Sequence, residues 1–416
     1  MRPRTAVALG GLLVLLGGLL VLGLGPGGSG GTLDEAWVSD TARDNEVNHH
    51  AVGVGPDGRV VVAPVAEVPH SDVPITNESC ALVRLAPANG SAVWRIGVPA
   101  EACFTHALTQ PAIADVDRDG RLEVVVATTE NAIIAYDART ASEAWRVPLS
   151  TYGYGRPTVA NVTPAPGPEV VASDIDGGVV VARGDGTVAW RVAANATAWE
   201  DPVVWESPLV GDLDADGRPE VVVGSNRGPL VLTARGGVAW RRNGSAAYTA
   251  LAGADDDPAL ELFTSGTATV RAYDGATGEV EWSRRLPGSR IRRAADADGD
   301  GTTEVYAGRV GGEVVALDAR SGETEWSTTV ASGDDVVVPP PTLGDVNGDG
   351  RSEVIAVTNG GTVAVLDPAT GAELAAYERA VPIWTFATPA DIDGDGRAEV
   401  LVRYGDGRVV ALDYAS

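Results

Sequence analysis

Residues 111–147, PAIADVDRDGRLEVVVATTENAIIAYDARTASEAWRV, decide the fold. They hold four short segments: an apolar run that ends in an acidic loop, a β-branched run, a second apolar run, and a segment that carries a Trp. Runs of Val and Ile bounded by Gly, Asp and Asn indicate strands. The unit therefore predicts four short strands joined by tight turns, and no part of it has the period of a helix.

The same unit recurs along nearly the whole chain. It starts again near Pro157, Pro208, Ala250, Arg293, Pro341 and Thr388, and a degenerate copy starts near His50. Four strands in a repeat of about 40–50 residues are typical of a β-propeller blade. A Trp recurs at Trp94, Trp145, Trp190, Trp240, Trp282 and Trp326, with Ala375 in the seventh repeat. We interpret these rings as core packing between blades.

The two ends of the repeat region complement each other. The eighth repeat stops after its third strand, at residues 411–416, before any Trp. A segment of the missing type lies at residues 33–39, around Trp37. We therefore predict that this segment completes the last blade, which would remove an exposed sheet edge. The predicted fold over 33–416 is an all-β, eight-bladed β-propeller, with seven blades as the alternative if the degenerate copy is not a full blade.

The N-terminus predicts a membrane anchor over residues 1–24. Arg2 and Arg4 precede an apolar run over residues 5–24, and about 20 apolar residues can span a bilayer as a helix. Positive charge before the run predicts an inside N-terminus and a single-pass cell-membrane protein with its propeller outside the cell. A cleaved signal peptide is the alternative. Residues 25–32, rich in Gly, predict a flexible linker.

An extracellular address agrees with two further features. Cys80 and Cys103 are the two cysteines of the chain, and in an oxidising compartment we expect them to form a disulfide. Two buried thiols are the alternative. Five sequons predict a glycoprotein, and they begin at Asn77, Asn89, Asn161, Asn195 and Asn243.

The chain is strongly acidic. Its net charge is −26, and all 31 basic residues are Arg. A polyanion such as nucleic acid is therefore a poor partner. An acidic chain without Lys is also typical of a halophilic source.

Five loops follow the pattern Asp-x-(Asp/Asn)-x-Asp-Gly-x-x-Glu. Carboxylates two residues apart repel one another unless a cation lies between them, and Ca²⁺ binds six to eight such oxygens. We therefore predict about five calcium sites, with solvated Asp turns as the alternative. Repeats one, three and five depart from the pattern and predict no metal. The predicted ligands are Asp115, Asp117, Asp119, Glu123, Asp212, Asp214, Asp216, Glu220, Asp296, Asp298, Asp300, Glu304, Asp345, Asn347, Asp349, Glu353, Asp391, Asp393, Asp395 and Glu399.

Two repeat families are similar to this chain. The Asp loops resemble the FG-GAP repeats of integrin-α type. Residues 272–282 and 316–326, with the pattern Ala-x-Asp-x-x-(Thr/Ser)-Gly-x-x-x-Trp, resemble the PQQ-like repeats of quinoprotein propellers. Both resemblances imply a β-propeller, and the second implies eight blades. The first implies structural calcium with ligands at the opposite face, and the second implies a quinone cofactor in the central channel of its enzymatic members.

Two enzyme classes remain as alternatives. A quinone-cofactor-dependent dehydrogenase would need the adjacent Cys pair that the resemblance implies, and this chain has none. A calcium-containing, lyase-like enzyme acting on polysaccharide would need a general base. The four histidines fall in no recognisable motif, and they are His49, His50, His70 and His106. We therefore expect a protein that is not an enzyme.

The segments that lead into the first strand of each repeat are rich in aromatic residues and Arg. Blade packing does not require these side chains, so they are candidates for holding a glycan, a peptide or an acidic ligand. The alternative is that they plug the channel or cap the core. The predicted function is a calcium-stabilised scaffold for binding, adhesion or assembly, with an extracellular protein or glycan as partner. The candidates are His106, Tyr152, Tyr154, Arg156, Trp205, Tyr248, Arg290, Arg292 and Trp384.

Overall fold

The computed structural model describes residues 30–67, 75–193 and 199–415. They form eight four-stranded antiparallel sheets, and their one helix is the 3₁₀ turn Ala100–Ala102. The predicted all-β, eight-bladed propeller is confirmed. The degenerate copy near His50 forms a complete sheet of its own, which excludes the seven-blade alternative.

The strands follow the repeat in chain order. The first sixteen are β1 (Thr32–Val38), β2 (Gly53–Val54), β3 (Val61–Val65), β4 (Ala81–Leu85), β5 (Ala92–Gly97), β6 (Ala112–Ala114), β7 (Glu123–Thr128), β8 (Ala132–Asp137), β9 (Glu143–Pro148), β10 (Thr158–Ala160), β11 (Glu169–Ser173), β12 (Val179–Arg183), β13 (Val188–Val192), β14 (Leu209–Gly211), β15 (Glu220–Ser225) and β16 (Gly228–Leu232). The others are β17 (Val238–Arg241), β18 (Tyr248–Ala252), β19 (Glu261–Ser265), β20 (Thr269–Tyr273), β21 (Val280–Arg285), β22 (Arg290–Ala295), β23 (Glu304–Gly308), β24 (Glu313–Asp318), β25 (Thr324–Thr329), β26 (Thr342–Gly344), β27 (Glu353–Val357), β28 (Thr362–Leu366), β29 (Glu373–Glu378), β30 (Thr388–Ala390), β31 (Glu399–Arg403) and β32 (Val409–Ala415). Blade 1 is β2–β5, blades 2 to 7 are the successive sets of four strands, and blade 8 is β30, β31, β32 and β1.

The core lies between the blades. All six residues of β7 are buried, because each face of this strand packs against a different neighbour. Val124 and Val126 share a cluster with blade 1, whereas Val125 shares one with Val170 of blade 3. The outermost strands instead alternate between partly buried and exposed residues, as in β5. The continuous Val runs therefore reflect burial on both faces.

The N-terminal strand closes the ring, as predicted. β1 pairs antiparallel with β32, and Trp37 lies opposite Ala411. The backbone N–H of Ser39 donates to the Val409 carbonyl at 2.8 Å. The last blade therefore combines both ends of the chain in one sheet.

The repeated Trp residues join neighbouring blades. Each indole N–H donates to a backbone carbonyl in the turn between the third and fourth strands of the next blade. The pairs are Trp37 with Pro87, Trp94 with Ala138, Trp145 with Gly184, Trp190 with Ala234, Trp240 with Gly275, Trp282 with Ala319, and Trp326 with Pro368. We call this contact the Trp latch.

Blade 7 lacks the Trp latch for a structural reason. In blade 8 the third and fourth strands come from opposite ends of the chain, so no turn joins them. A Trp from blade 7 would have no such carbonyl to meet. Ala375 takes the place, and it packs in a cluster with Leu33 and Tyr414.

The predicted anchor, linker, disulfide and sequons fall in different parts of the chain. The predicted anchor over 1–24 and most of the linker lie outside the described residues, and none of the helices that the structure describes is long and apolar enough to cross a membrane. A disulfide joins Cys80 and Cys103. Four sequon asparagines are exposed, and the fifth lies outside the described residues. The exposed ones are Asn77, Asn89, Asn161 and Asn243.

Candidate functional site

The connections from the last strand of one blade to the first strand of the next meet at one end of the central channel. We call them crossing segments. They supply most of the lining of a cavity of about 370 Å³, to which all eight blades contribute. A cavity lined from every blade lies on the propeller axis. This channel mouth is a concave site with both aromatic and charged side chains, which is the general character of a ligand pocket.

The structure brings most of the predicted ligand residues to this cavity. Seven line it directly, and they are Tyr154, Arg156, Trp205, Tyr248, Arg290, Arg292 and Trp384. His106 lies at the rim, in an adjoining open cavity of about 500 Å³. Tyr152 stacks on His106 with ring centroids 6.4 Å apart. The segments that the sequence singled out therefore converge on one surface.

One ion pair spans the cavity wall. Arg292 of blade 6 lies 3.3 Å from the Glu206 carboxylate of the segment that leads into blade 4. The Arg292 guanidinium also lies 3.8 Å from the centroid of the Phe386 ring, which suits a cation–π contact. Burial raises the pKa of Glu206 to about 7, and the Arg292 charge offsets only part of that rise. Phe386 was not among the predicted residues, although it lies two residues after Trp384 in the same crossing segment.

The cavity carries excess positive charge. Arg156, Arg292 and Arg293 reach a deeper cavity of about 260 Å³ along the channel, and Arg290 lines the mouth. Glu206 is the one carboxylate among the described residues that line these two cavities. A protein of net charge −26 therefore encloses a locally cationic channel.

Arg156 is the least compensated of these arginines. Its buried Nε has no hydrogen-bond partner among the described residues. Burial, and then the charge of Arg293, lower the pKa of Arg156. A buried donor without a partner is costly. The site therefore favours an acceptor that is supplied from outside the chain.

Three histidines gather at the same mouth, which sequence reasoning missed. The Nε2 of His49 and the Nδ1 of His106 are 2.6 Å apart, and the His49 and His50 ring centroids are 4.5 Å apart. Burial, and then the charge of His49, lower the pKa of His106 to about 4. The sequence feature that could have predicted the cluster is the position of these histidines, since they fall in two successive crossing segments.

The acidic loops lie at the other end of the propeller, between the first and second strands of their blades. Each loop folds on its own hydrogen bonds. In blade 2 the N–H of Gly120 donates to Asp115 Oδ2 at 3.1 Å, and the N–H of Asp119 donates to Asp117 Oδ1 at 3.0 Å. Gly120 has φ +86°, a conformation that favours glycine. The same glycine bond recurs in the other four loops.

The Glu of the pattern has a structural role that extends beyond these loops. In blade 2 its Oε2 accepts the backbone N–H of Val116 at 2.9 Å. Glu169 and Glu261 make the equivalent bond in blades 3 and 5, which lack the full Asp pattern. Burial is the largest cause that raises the pKa of Glu123, to about 7. The hydrogen bond from Val116 acts in the opposite direction, and the Asp charges of the loop add to the rise. The buried Glu of this position is present in seven blades, as Glu123, Glu169, Glu220, Glu261, Glu304, Glu353 and Glu399.

The loops offer the oxygen donors that calcium prefers. Ligand oxygens of Asp115, Asp117 and Glu123 lie within 4.8 Å of one another, and so do those of Asp212, Asp214 and Asp216, and of Asp296, Asp298 and Asp300. Asp115 also has a buried Oδ1 with no hydrogen-bond partner in the described parts of the chain. The residues therefore fit a hard divalent cation. Blade 5, for which the spacing predicted no metal, groups Asp255, Asp257 and Glu261 in the same way.

These features define a class: an eight-bladed propeller of PQQ-like repeats, closed by its N-terminal strand, with a cationic and aromatic channel mouth. The family model described as outer membrane protein assembly factor BamB matches residues 78–198 and 176–413. The chain therefore belongs to this PQQ-like family. The resemblance to FG-GAP repeats and the halophilic source remain predictions.

Solved structures show the same fold. BamB from Moraxella catarrhalis is 18% identical, with a TM-score of 0.60 over 92% of this chain and 98% of that one. A quinohemoprotein alcohol dehydrogenase from Pseudomonas putida HK5 is 13% identical, with a TM-score of 0.65 over 92% of this chain and 76% of that one. The C-terminal WD40 domain of Sif2 is 14% identical, with a TM-score of 0.64 over 93% and 99%. No curated protein matches the chain in sequence.

Proposed function

We propose that this protein is a non-enzymatic binding scaffold, anchored at the outer face of the cell membrane. Its channel mouth would hold a carboxylate-bearing segment, either an acidic peptide or an acidic glycan, of an extracellular partner. One observation carries the proposal: four arginines and several aromatic rings face a single carboxylate on the propeller axis. Fold alone does not decide function in this family, so the site has to carry it.

A carboxylate would remove the main electrostatic cost of the cavity. The unpartnered Nε of Arg156 suits an incoming oxygen, since Arg pairs with carboxylates through two parallel hydrogen bonds. The Trp384 ring, 49% exposed, would pack against the apolar part of the ligand. Its indole N–H donates to the Glu46 carbonyl at 2.6 Å, which holds the ring in place.

The overall charge restricts the size of this ligand. A net charge of −26 repels a long polyanion from most of the surface. The channel arginines lie inside the ring, so a short acidic segment can reach them while a nucleic acid cannot. Nucleic acid is therefore not among the proposed partners.

The ligand proposal is tested with acidic probes and a matched pair of Arg variants. The full chain is titrated with an oligouronate and with hexaglutamate, and with a neutral oligosaccharide and hexaglutamine as controls. Arg156→Met should weaken binding of the acidic probes by about 10- to 100-fold, the worth of a hydrogen bond to a charged group. Arg235→Gln, at an exposed turn of the opposite face, should bind as the unmodified chain does. Equal binding of acidic and neutral probes, or no effect of Arg156→Met, would contradict the proposal.

We propose that the acidic loops hold calcium that stabilises the blades. Calcium that binds only the folded state stabilises it by about 2.7 kcal/mol per site at a concentration 100 times its Kd. A melt with calcium, and then with excess chelator, should show a large shift. Asp391→Asn should lower both the bound calcium and the shift, whereas Asp57→Asn in blade 1, which lacks the motif, should change neither. A chain without bound calcium, whose melt is insensitive to calcium, would refute this role.

A quinone-dependent dehydrogenase is the second candidate, since quinohemoprotein alcohol dehydrogenases share the fold. The arginines of the channel could bind the carboxylates of such a cofactor. The two cysteines, 23 residues apart, do not form the adjacent pair that the resemblance implies. Quinone-dependent oxidation of alcohols would show that the protein is a dehydrogenase, and release of unsaturated uronate from the oligouronate probe would show that it is a lyase. Either result would contradict the proposal of a non-enzymatic scaffold.

A further inference from the structure

We propose that His49, His50 and His106 form a binding site for Zn²⁺ at the rim of the channel mouth. One ring nitrogen from each of the three lies within 4.8 Å of the others. The site differs in kind from the acidic loops, because neutral imidazole suits zinc and its transition-metal neighbours, whereas carboxylate oxygens suit calcium.

The backbone orients the first ligand. The Nδ1 of His49 lies 2.8 Å from the Val47 carbonyl, which can only accept, so this nitrogen carries the hydrogen. The Nε2 of His49 is then left with its lone pair toward His106, whose Nδ1 lies 2.6 Å away. An N–H bond to a backbone carbonyl is the usual way in which proteins fix the tautomer of a metal-binding histidine.

The second ligand has a nitrogen with no other use. The Nε2 of His50 is buried and has no hydrogen-bond partner among the described residues. Its ring centroid lies 4.5 Å from that of His49 and 5.9 Å from that of His106. A buried polar atom without a partner costs stability, and coordination to a metal would satisfy it.

The third ligand requires a small movement. Since His49 Nε2 is an acceptor, His106 Nδ1 is the donor in their 2.6 Å contact. Two nitrogens bound at about 2.0–2.1 Å to a tetrahedral zinc ion lie about 3.3 Å apart. Binding would therefore move the hydrogen of His106 from Nδ1 to Nε2 and separate the two rings by less than about 1 Å.

The surroundings suit a zinc ion with one open position. His49 lines both the channel cavity and the rim cavity, so a fourth ligand can approach from solvent. Three His ligands with an open fourth position are one known arrangement for zinc.

The test uses the full chain with calcium in excess, so that the acidic loops do not compete. Co²⁺ is titrated as a spectroscopic substitute for zinc, and Zn²⁺ is then added to displace it. One Co²⁺ per chain should give the intense visible absorption of tetrahedral nitrogen coordination. His106→Gln and His50→Gln should each weaken binding by more than about 10-fold. Tyr152→Phe, which alters a ring stacked on His106 but removes no ligand, is the matched control.

Folding and metal binding are measured separately for each variant. Melts of the metal-free variants show whether each is folded, and the two His variants provide independent readings if one is not. Loss of the signal in a folded His variant, with retention in Tyr152→Phe, supports the site. Weak octahedral absorption, or binding that both His variants retain, overturns it. Failure of the acidic-probe experiment would leave this result untouched, since it uses the metal alone.

Discussion

The Trp latch between blades 6 and 7 predicts that one added methyl group at Gly371 lowers the free energy of unfolding substantially. Gly371 has φ +68° and lies in the turn that receives the Trp326 indole. A Cβ at Gly371 would lie 2.4 Å from Trp326 Cε3 and 2.6 Å from Thr328 Oγ1. The left-handed backbone costs an L-residue about 1–2 kcal/mol, and such overpacking costs about 1–3 kcal/mol.

Part of this cost is offset because Ala has less conformational freedom than Gly in the unfolded state, which stabilises the Ala variant by about 0.4–1 kcal/mol. Gly371→Ala should therefore destabilise the protein by about 2–4 kcal/mol. The entropy of unfolding grows with chain length, so for a chain of 416 residues 1 kcal/mol lowers the melting temperature by about 1 °C. We expect a shift of about 2–5 °C.

The chain contains its own matched control. In blade 2 the same turn position is Ala141, with φ +63°, and its N–H donates to Asp137 just as that of Gly371 donates to Asp367. Ala141→Gly should relieve the backbone strain and stabilise the protein by about 0.5–1 kcal/mol. Thermal and denaturant unfolding of both variants, at one fixed calcium concentration, measures the pair. Unchanged stability in Gly371→Ala, or an equal loss in Ala141→Gly, would refute the reasoning.

Three further predictions concern stability. Removing the Cys80–Cys103 disulfide, which closes a loop of 23 residues, should cost about 3 kcal/mol; an unchanged melt in reductant would contradict this. Burial alone would raise the pKa of Asp406, but hydrogen bonds from Arg379 and Arg408 lower it below the usual value. The ionised Asp406 therefore stabilises the folded state at any pH above its pKa in the unfolded chain. This stabilisation is lost as the pH falls through the lower pKa of the folded state. Asp406→Asn should therefore cost about 2 kcal/mol at pH 7, and the gap from the unmodified chain should narrow below about pH 4. Arg408→Gln, which leaves the Arg379 bond in place, should cost less than Asp406→Asn in the same melt.

The architecture could be predicted from sequence because each blade repeats the same local code. The Trp of the fourth strand and the Val runs recur in most repeats, with successive Trp residues from Trp94 to Trp326 lying 42–51 residues apart, and the Trp37 segment supplied the one strand that the last repeat lacked. Ring closure followed from counting strands. The backbone hydrogen bond of the buried Glu could not be predicted from the Asp pattern, because a blade without that pattern makes the same bond through Glu169.

The channel mouth could be predicted only in part. Aromatic and Arg side chains outside the repeat marked the crossing segments, but not which of them would meet. Glu206 and Arg292 are 86 residues apart and belong to blades 4 and 6, so only the closed ring brings them together. The same holds for His49 and His106, which lie in separate segments 57 residues apart. Such contacts depend on the curvature of the ring, which no single repeat contains.

The N-terminal strand gives the ring a mechanical polarity. β1 has no turn that joins it to its sheet and is held at the edge of blade 8 by its pairing with β32. Any tension applied through the N-terminal side of the chain reaches the propeller first at this strand. The neighbouring junction between blades 7 and 8 is the one without a Trp latch. Force would therefore enter the ring at an edge strand, beside the one junction that lacks the Trp latch, and β1 should separate from β32 before any other strand is pulled away.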